Sequence, residues 1–572
     1  MHWEYSSLPQ TLIETKAMQL KKDTLLTTLL INRGFLDEKS ANEFINPRIK
    51  DFRDPFKFEK MDEIVDIILE KRAKNERIFI YGDYDVDGIT AAVFLVKVLS
   101  EIGMDVDYYI PNRMEEGYGL DKKAVDFMLK KKCTLAITVD TGVNSIDDVK
   151  YAESLGMKVI VTDHHKSVKE KEDDELLLLN PKLSDTYEFK YLSGAGVALK
   201  VAQGVYLRLG EDLRKLYQYM DIVMIGTVAD VVPMVDENRI IIKEGLRILK
   251  NTKVKGLMYL LKYLKFQNKN LNTTDVSYFI SPLINSLGRI GVSKMGADFF
   301  LKNDEFEIYN IIEEMKRANK KRRELEKFIF DDANSKILQM KNNEPKCAFL
   351  YSEKWHPGVI GVVSSRLSIK YNMPIALVAL RDNIGKASCR SVKGISVFNI
   401  FEKIKNSLVR FGGHDLASGF IVKQENLKFV EQIFKNNIRE MQIQEEKKSL
   451  KIDMEYPIEK IDDRIFSALD ALAPFGLDNP HPLFLDRNLS FEYIKKFGVN
   501  DRHFNGIIKK NGKNYHMVAF DLGHKINELE SKIQNFDIVY YPEKIIYRGE
   551  EIIQIRIKDI KIKDDFYEIF TK

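Results

Sequence analysis

Cysteine is scarce in this 572-residue chain: Cys133, Cys347 and Cys389 are the whole complement, far apart and without metal-type pairing. That excludes a disulfide framework and a zinc ribbon, and it fits a reducing cytoplasm. A dominant charge is lacking too. The 89 basic residues nearly balance the 85 acidic ones, and the formal +4 neither demands nor excludes a nucleic-acid partner, because patches decide that question. No apolar run approaches the length needed to cross a bilayer, and Met1-His2-Trp3-Glu4-Tyr5 lacks a basic region followed by an apolar stretch, so the reading is a soluble, unexported, cytoplasmic protein. Internal repeats and low-complexity tracts are missing. At 44% hydrophobic and 30% charged the composition is globular, and the length exceeds what one core can hold, which predicts about three or four domains.

What is present is a set of short apolar runs that end in acids or imidazoles. Ile78 to Tyr81 runs into Gly82-Asp83-Tyr84-Asp85-Val86-Asp87-Gly88, Leu135 to Val139 into Asp140-Thr141-Gly142, and Val159 to Thr162 into Asp163-His164-His165. Short runs rich in Ile and Val, each followed by a helix-like segment, read as buried parallel strands. Ligands gather at the carboxyl ends of such strands, so the clusters converge on one crevice. A further apolar segment, Ile222 to Val228, delivers Asp230.

Pattern changes along the chain set its organisation. Residues 1–60 read as small amphipathic helices forming an N-terminal cap on the neighbouring α/β domain. Over 61–300 strand and helix patterns alternate, which means βαβ units and a parallel sheet. Residues 301–343 form the connector, and within them about 305–342 favour a helix and carry Glu313-Glu314-Met315-Lys316-Arg317-Ala318-Asn319-Lys320-Lys321-Arg322-Arg323; a continuous rod there would measure roughly 55 Å, and it reads as a solvated connector rather than a DNA-contacting helix. A second α/β pattern occupies 344–446. From 447 to 572 alternating strands with turns such as Lys510-Asn511-Gly512-Lys513-Asn514 read as a small barrel or sandwich. The fold class is therefore α/β with a parallel-sheet catalytic domain, a long connecting helix, a second α/β domain and a C-terminal β-barrel.

Asp85, Asp87, Asp140 and Asp230 offer carboxylate oxygens and His164 an imidazole nitrogen, enough to hold two divalent ions in one crevice. Oxygen-dominated ligation favours Mn²⁺ or Mg²⁺ over zinc. Two such ions about 3.5 to 4 Å apart activate water and stabilise the leaving oxygen of an in-line displacement, so phosphoester or phosphoanhydride hydrolysis is the natural reaction class. A single acid at a strand end is commonly only a turn or helix cap; five or six at corresponding ends are hard to read that way.

The same residues carry a family resemblance. Asp163-His164-His165 resembles the name-giving motif of the DHH phosphoesterase superfamily, and Gly82 to Gly88 resembles its first motif as used in the RecJ family of single-stranded-DNA-specific exonucleases. Ile110-Pro111-Asn112-Arg113 with Gly117-Tyr118-Gly119-Leu120, Thr138 to Gly142, Gly226 to Pro233, Asn285-Ser286-Leu287-Gly288-Arg289, His356 to Gly361, Ser388-Cys389-Arg390-Ser391 and Gly412-Gly413-His414 match further landmarks, from about 60 to 570. The resemblance implies metal ligands at Asp85, Asp87, Asp140, His164 and Asp230, with Asp140 as bridge. Asp83 completes or supports the first site, Asp163 orients a histidine, and His165 faces the scissile phosphate or an ion.

It also implies that residues 344–446 resemble the DHH-associated domain, which closes over the cleft and holds the nucleotide. Arg390 with Ser388 suits a phosphate grip, and Gly412 and Gly413 allow backbone amides to approach an anion; His414 falls in the same motif. Arg113 and Arg289 read either as phosphate contacts or as interdomain salt-bridge residues, and His356 either as a packing or a substrate-contacting residue. Cys389 beside Arg390 invites a nucleophile reading, but no histidine base adjoins it in the sequence, and it reads as a small side chain filling a loop. The terminal domain resembles an oligonucleotide-binding fold. Phe504, Tyr540, Tyr541, Tyr547 and Arg548 are candidates to stack bases and track a backbone, half of them core by strand periodicity. At Asp478 the family usually has glycine.

The reading is thus a nuclease that removes nucleotides from the 5′ end of single-stranded DNA in repair and recombination, with single-stranded DNA as partner, a helicase or single-strand-binding protein as further partners, and no membrane. The alternatives are a DHH phosphodiesterase of short oligonucleotides or cyclic dinucleotides, against which the terminal β domain argues, and an inactive DNA-binding scaffold, against which the intact acidic set argues.

Overall fold

Gly82, Val139 and Thr162 are the last residues of three neighbouring parallel strands, Ile78–Gly82, Leu135–Val139 and Lys158–Thr162, and they stand in register, Gly82 opposite Val139 and Val139 opposite Thr162. Asp83, Asp140 and Asp163 therefore leave the sheet side by side. This geometry comes from a computed structural model that describes residues 2–5, 7–112, 116, 119–167, 176–267, 269–340, 346–441, 449–525, 534–547 and 550–562. The sheet has five parallel strands, in the order Val106–Tyr109, Ile78–Gly82, Leu135–Val139, Lys158–Thr162 and Leu177–Leu179. The middle strands are buried on both faces, as continuous Ile/Val runs require. Ile222 to Val228, by contrast, belongs to a helix, Met220–Ala229, buried from Met220 to Val228. An apolar run of that length does not distinguish strand from helix.

The connector is one helix, Glu305–Leu338. Its charged composition hides two separate apolar stripes. Ile308, Ile311, Ile312, Met315 and Ala318 are buried in the core of the catalytic lobe, whereas Ile329, Ala333 and Ile337 are buried with Trp355, Val359 and Val363 of the second lobe. Only the middle, around Lys320, Lys321 and Arg323, is the solvated rod that composition implies. The second lobe carries a mixed five-stranded sheet ordered Arg410–His414, Ala417–Lys423, Ile384–Arg390, Ile375–Arg381 and Ala348–Ser352. These elements and residues 49–304 form one compact unit, Ile49–Gln444.

The second unit joins Met1–Arg48 to Glu445–Lys572. The N-terminal helices thus share a core with the barrel, which is remote from them in sequence. Their apolar faces, Leu20, Leu26, Leu29, Leu30, Phe44 and Ile45, are buried against Ile465, Ala468, Leu469 and Leu472 of the helix Asp463–Leu472, and the strand His2–Tyr5 pairs in parallel with Ser449–Ile452. Five strands, Phe484–Phe497, His503–Lys510, Lys513–Ala519, Glu550–Ile562 and Gln534–Tyr547, close into a barrel through pairing of the first with the last. Asn511 and Gly512, at φ +48 and +74, make the expected two-residue turn. Asp478 lies at φ +59, a left-handed conformation that explains why glycine is usual there and which aspartate tolerates better than most residues. Among the described residues no helix is long and apolar enough to cross a membrane.

Candidate metal centre

Each acid at the sheet edge is held by backbone that the sequence places there. Asp85 caps the helix Val86–Glu101, its Oδ1 accepting the N–H groups of Asp87 at 2.9 Å and Gly88 at 3.1 Å. Here the bland reading of an acid as a helix cap is correct, and it fixes the carboxylate at the same time. Gly88 is needed for close approach, since a Cβ there would sit 2.5 Å from the Asp83 nitrogen. Asp87 points the other way, into the start of the helix Gly194–Leu209. It accepts the amides of Gly194 at 2.6 Å and Ala195 at 3.0 Å, an anion site at a helix N-terminus. Asp140 adopts φ +60 immediately after its strand. Asp230 closes the buried helix Met220–Ala229 instead of ending a strand.

These groups converge. His164 Nε2 lies 3.0 Å from Asp140 Oδ1, 3.5 Å from Asp230 Oδ2 and 3.9 Å from Asp87 Oδ2. Three sets of donor atoms lie within 4.8 Å of one another: Asp83, Asp85 and Asp140; Asp87, His164 and Asp230; and Asp140, His164 and His165. Asp140 is shared between the first and third, the place a bridging carboxylate would take. Asp163 is not part of any set. Its Oδ1 accepts the N–H groups of His164 at 2.7 Å and His165 at 3.0 Å and lies 2.7 Å from His165 Nδ1, and its Oδ2 accepts the Val143 amide at 3.0 Å. These bonds hold the backbone of both histidines and the ring of His165.

The electrostatics call for a cation. Burial, then repulsion from Asp87, Asp85, Asp230 and Asp83, holds Asp140 well above the usual carboxylate range. Asp87 and Asp230 are raised by burial and then by their acidic neighbours. Burial, with the charge of His165, pushes His164 down, so it stands as neutral imidazole. Burial would lower His165 as well, but the hydrogen bond and charge of Asp163 outweigh it and bring His165 up to about 9. The fit to a metal is visible in individual atoms: Asp140 Oδ1 and His164 Nε2 are buried without a hydrogen-bond partner among the described residues, a costly state unless a cation takes up both. A neutral imidazole among carboxylates is a donor set for Mn²⁺ or Mg²⁺.

The second lobe contributes unequally. His414, in the strand Arg410–His414, lies parallel to His165 with ring centroids 6.1 Å apart. Ser388 and Arg390 form a group of their own: the Arg390 guanidinium is 3.4 Å from Ser388 Oγ and donates to the Cys389 carbonyl at 2.9 Å. Gly361, in the first turn of the helix Ile360–Tyr371, packs on the same two side chains. Gly412 has open space where a side chain would be, and Gly413, at φ +134, packs on the Ala417 carbonyl. His356 Nδ1 accepts the Gly358 amide at 3.1 Å, and Arg289 donates to the Gly358 carbonyl at 3.1 Å, so Arg289 does join the lobes, by a hydrogen bond and not a salt bridge to an acid in that contact. Arg113 lies outside the described residues. Cys389 is fully buried in a strand and burial pushes its thiol up, which removes the nucleophile reading.

Sequence reading missed three contributors. The amides of Gly194 and Ala195 carry no side-chain signature, though Ser193-Gly194-Ala195-Gly196 is a helix start rich in small residues. Lys182 lies near enough to Asp230 and Asp163 for their charges to act on it. On the barrel, Phe504 and Tyr540 are fully buried and Tyr541 nearly so, because they occupy the inward or crowded positions of their strands. The Tyr547 side chain and Arg548 lie outside the described residues. Other rings form a track instead. Phe497, His503 and Phe520 touch one another at centroid distances of 5.2 to 6.0 Å, and Arg556 lies over Phe520 at 5.0 Å. Arg556 pairs across strands with Tyr541, on which His481 stacks at 4.7 Å, and Phe475 lies 4.0 Å from His481.

Comparison with known proteins agrees with this architecture. Residues 77–227 match the DHH family, N-terminal domain, residues 344–440 the DHHA1 domain, and residues 452–559 the RecJ OB domain. The chain is 32% identical over 532 residues to the single-stranded-DNA-specific exonuclease RecJ of Bacillus subtilis, covering 91% of this chain and 66% of that one, about two thirds of its length. It superposes on the crystal structure of RecJ in complex with Mn²⁺ from Thermus thermophilus with a TM-score of 0.82 at 25% identity, over 98% of this chain and 80% of that one. A crystal structure of exonuclease RecJ bound to manganese is 30% identical, with a TM-score of 0.59, over 67% of this chain and 96% of that one.

Proposed function

The chain belongs to the RecJ family of DHH phosphoesterases, and from that membership we propose that it is a metal-dependent exonuclease that removes 5′-mononucleotides from single-stranded DNA in the 5′-to-3′ direction. The observation that carries the reading is the sharing of Asp140 between two sets of donors, one with Asp83 and Asp85 and one around His164. Bound Mn²⁺ or Mg²⁺ would supply an activated water and charge neutralisation at the leaving oxygen.

The protein's own side chains do the rest. Asp83, Asp85 and Asp140 would hold one ion and Asp87, His164 and Asp230 the other, with Asp140 Oδ1 3.0 Å from His164 Nε2. Asp163 fixes His165 as a cation beside them, positioned to donate to a phosphate oxygen, and His414 faces it from the second lobe. Ser388 and Arg390, beside the first turn of the helix Ile360–Tyr371, grip a phosphate. His356 and Arg289 border that lobe junction, Gly412 leaves room for an anion near the backbone, and the family resemblance adds Arg113 as a further phosphate contact. The ring-and-arginine track of the barrel stacks unpaired bases, which a duplex does not present. Such an enzyme works in cytoplasmic DNA repair and recombination beside a helicase or single-strand-binding protein that exposes its substrate.

The test uses single-stranded oligonucleotides labelled at either end, a blunt duplex and a dinucleotide, with Mn²⁺. Immediate release of labelled mononucleotide from the 5′-labelled strand, stepwise shortening of the 3′-labelled one and a spared duplex are expected. Cleavage of the dinucleotide alone, or binding without cleavage, would overturn the reading.

A further inference from the structure

The loop after Asp230 is held by a side chain that the proposed chemistry does not use. Val231 follows Asp230 at φ +61 and is 62% exposed. A β-branched residue seldom takes up a left-handed conformation, and an exposed one has little packing to hold it there. The restraint comes from Asn238, whose side-chain amide is fully buried near the start of the helix Asp236–Leu249. Nδ2 donates to the Pro233 carbonyl at 3.0 Å and to the Tyr191 carbonyl at 2.6 Å. Pro233 lies three residues beyond Asp230. Tyr191 leads into Gly194 and Ala195, whose amides hold both oxygens of Asp87. One carboxamide, with its two N–H groups fixed in a plane, therefore ties together the two segments that set Asp230 and Asp87. The helix that bears it is itself anchored, since the neighbouring Glu237 is fully buried and bonded to Lys200 and Tyr187.

We propose that Asn238 is a positioning residue that clasps the Asp87 cradle to the Asp230 loop, keeping both carboxylates at the spacing one divalent ion shared with His164 requires, with Val231 as the strained link that springs away once the clasp is removed. The inference rests on Asp87, His164 and Asp230 being ligands. No acid or base is involved: removal of two hydrogen bonds acts on a metal site through geometry alone.

The full-length protein serves for the test, with Mn²⁺ binding followed by calorimetry and by the rise in Tm that Mn²⁺ produces. Asn238→Ala is expected to weaken one of two Mn²⁺ equivalents about tenfold and to raise the Mn²⁺ concentration for half-maximal hydrolysis, with most of kcat recovered at saturation. Val231→Gly, which lets the loop follow its path unaided, is expected to restore most of that affinity in the double variant. A lower Tm in Asn238→Ala with unchanged Mn²⁺ affinity would overturn the proposal, as would an equal loss in single and double variants. If the alanine variant does not fold, Asn238→Ser takes its place, its hydroxyl serving one carbonyl at a time, and an intermediate loss of affinity is expected. Asp230→Asn separates the two levels: unaltered Mn²⁺ binding there would remove the ligand reading itself, whereas lost binding there and none lost in Asn238→Ala would remove only the clasp.

Discussion

His165 and His414 face each other from different lobes with ring planes within 6° of parallel. The pair is compatible because only one ring carries charge: Asp163 holds His165 as a cation, whereas burial and the charge of His165 keep His414 low and neutral. A phosphate oxygen entering beside them would meet one charged and one neutral donor. His414→Ala should lower kcat/KM about 10- to 150-fold, the cost of one hydrogen bond to a charged group, with calorimetric Mn²⁺ affinity unchanged. A parallel loss of Mn²⁺ affinity would show that His414 acts on the metal site instead.

Asp140→Asn should abolish hydrolysis and the Mn²⁺-induced rise in Tm, yet make the metal-free protein more stable, by about 1 to 3 kcal/mol, because it removes one of several buried, mutually repelling carboxylates. Urea unfolding with a chelator reads the sign. A less stable metal-free variant would mean that the repulsion is already relieved by some other route.

The pH dependence of the metal-free protein has a definite sign above pH 6.5. Asp87, Asp140 and Asp230 retain protons in the folded chain that they lose on unfolding, and His165 does the same up to about 9. The folded state binds more protons in this window, so stability falls as pH rises. His164, lowered by burial, acts in the opposite direction only below its ordinary value. Chelator-treated protein should therefore lose stability between pH 6.5 and 8.5, and Mn²⁺ should release protons on binding, seen as a buffer-dependent calorimetric heat. A flat profile would remove the raised carboxylates from the account.

Phe520→Ala or Arg556→Ala should weaken binding of a long single strand about 5- to 150-fold, the range of one stacked base, and leave dinucleotide hydrolysis unchanged. Phe504→Ala should instead cost about 3 to 5 kcal/mol of barrel stability. Anisotropy with labelled DNA separates the two; equal binding loss in all three variants would deny the outer track a specific role.

The acids at strand ends were legible because each apolar run is short, rich in Ile and Val and followed by a helix-like segment, the alternation that marks a parallel sheet. Asp230 was legible as a residue but not as a helix end, since a mostly apolar run of seven residues suits either element. Which half of the barrel's candidate rings is core, Phe504 and Tyr540 among them, was not legible, because a one-residue change of register exchanges inside and outside, and register comes from pairing partners far away in sequence. The same distance hid the association of residues 1–48 with the barrel. Gly194 and Ala195 act through backbone amides, which no side chain advertises.

The helix Glu305–Leu338 ends in two different cores, with its most exposed turn around Lys320, Lys321 and Arg323 between them. Its residue count is therefore a dial setting. Adding one residue near Lys321 would turn one lobe against the other by about 100° and lengthen the span by about 1.5 Å, carrying Ser388, Arg390 and His414 out of phase with the acidic cluster while leaving every element intact. In this protein the alignment of cutting and holding is stored as a number of helical residues, which evolution can change only in steps that approximate whole turns.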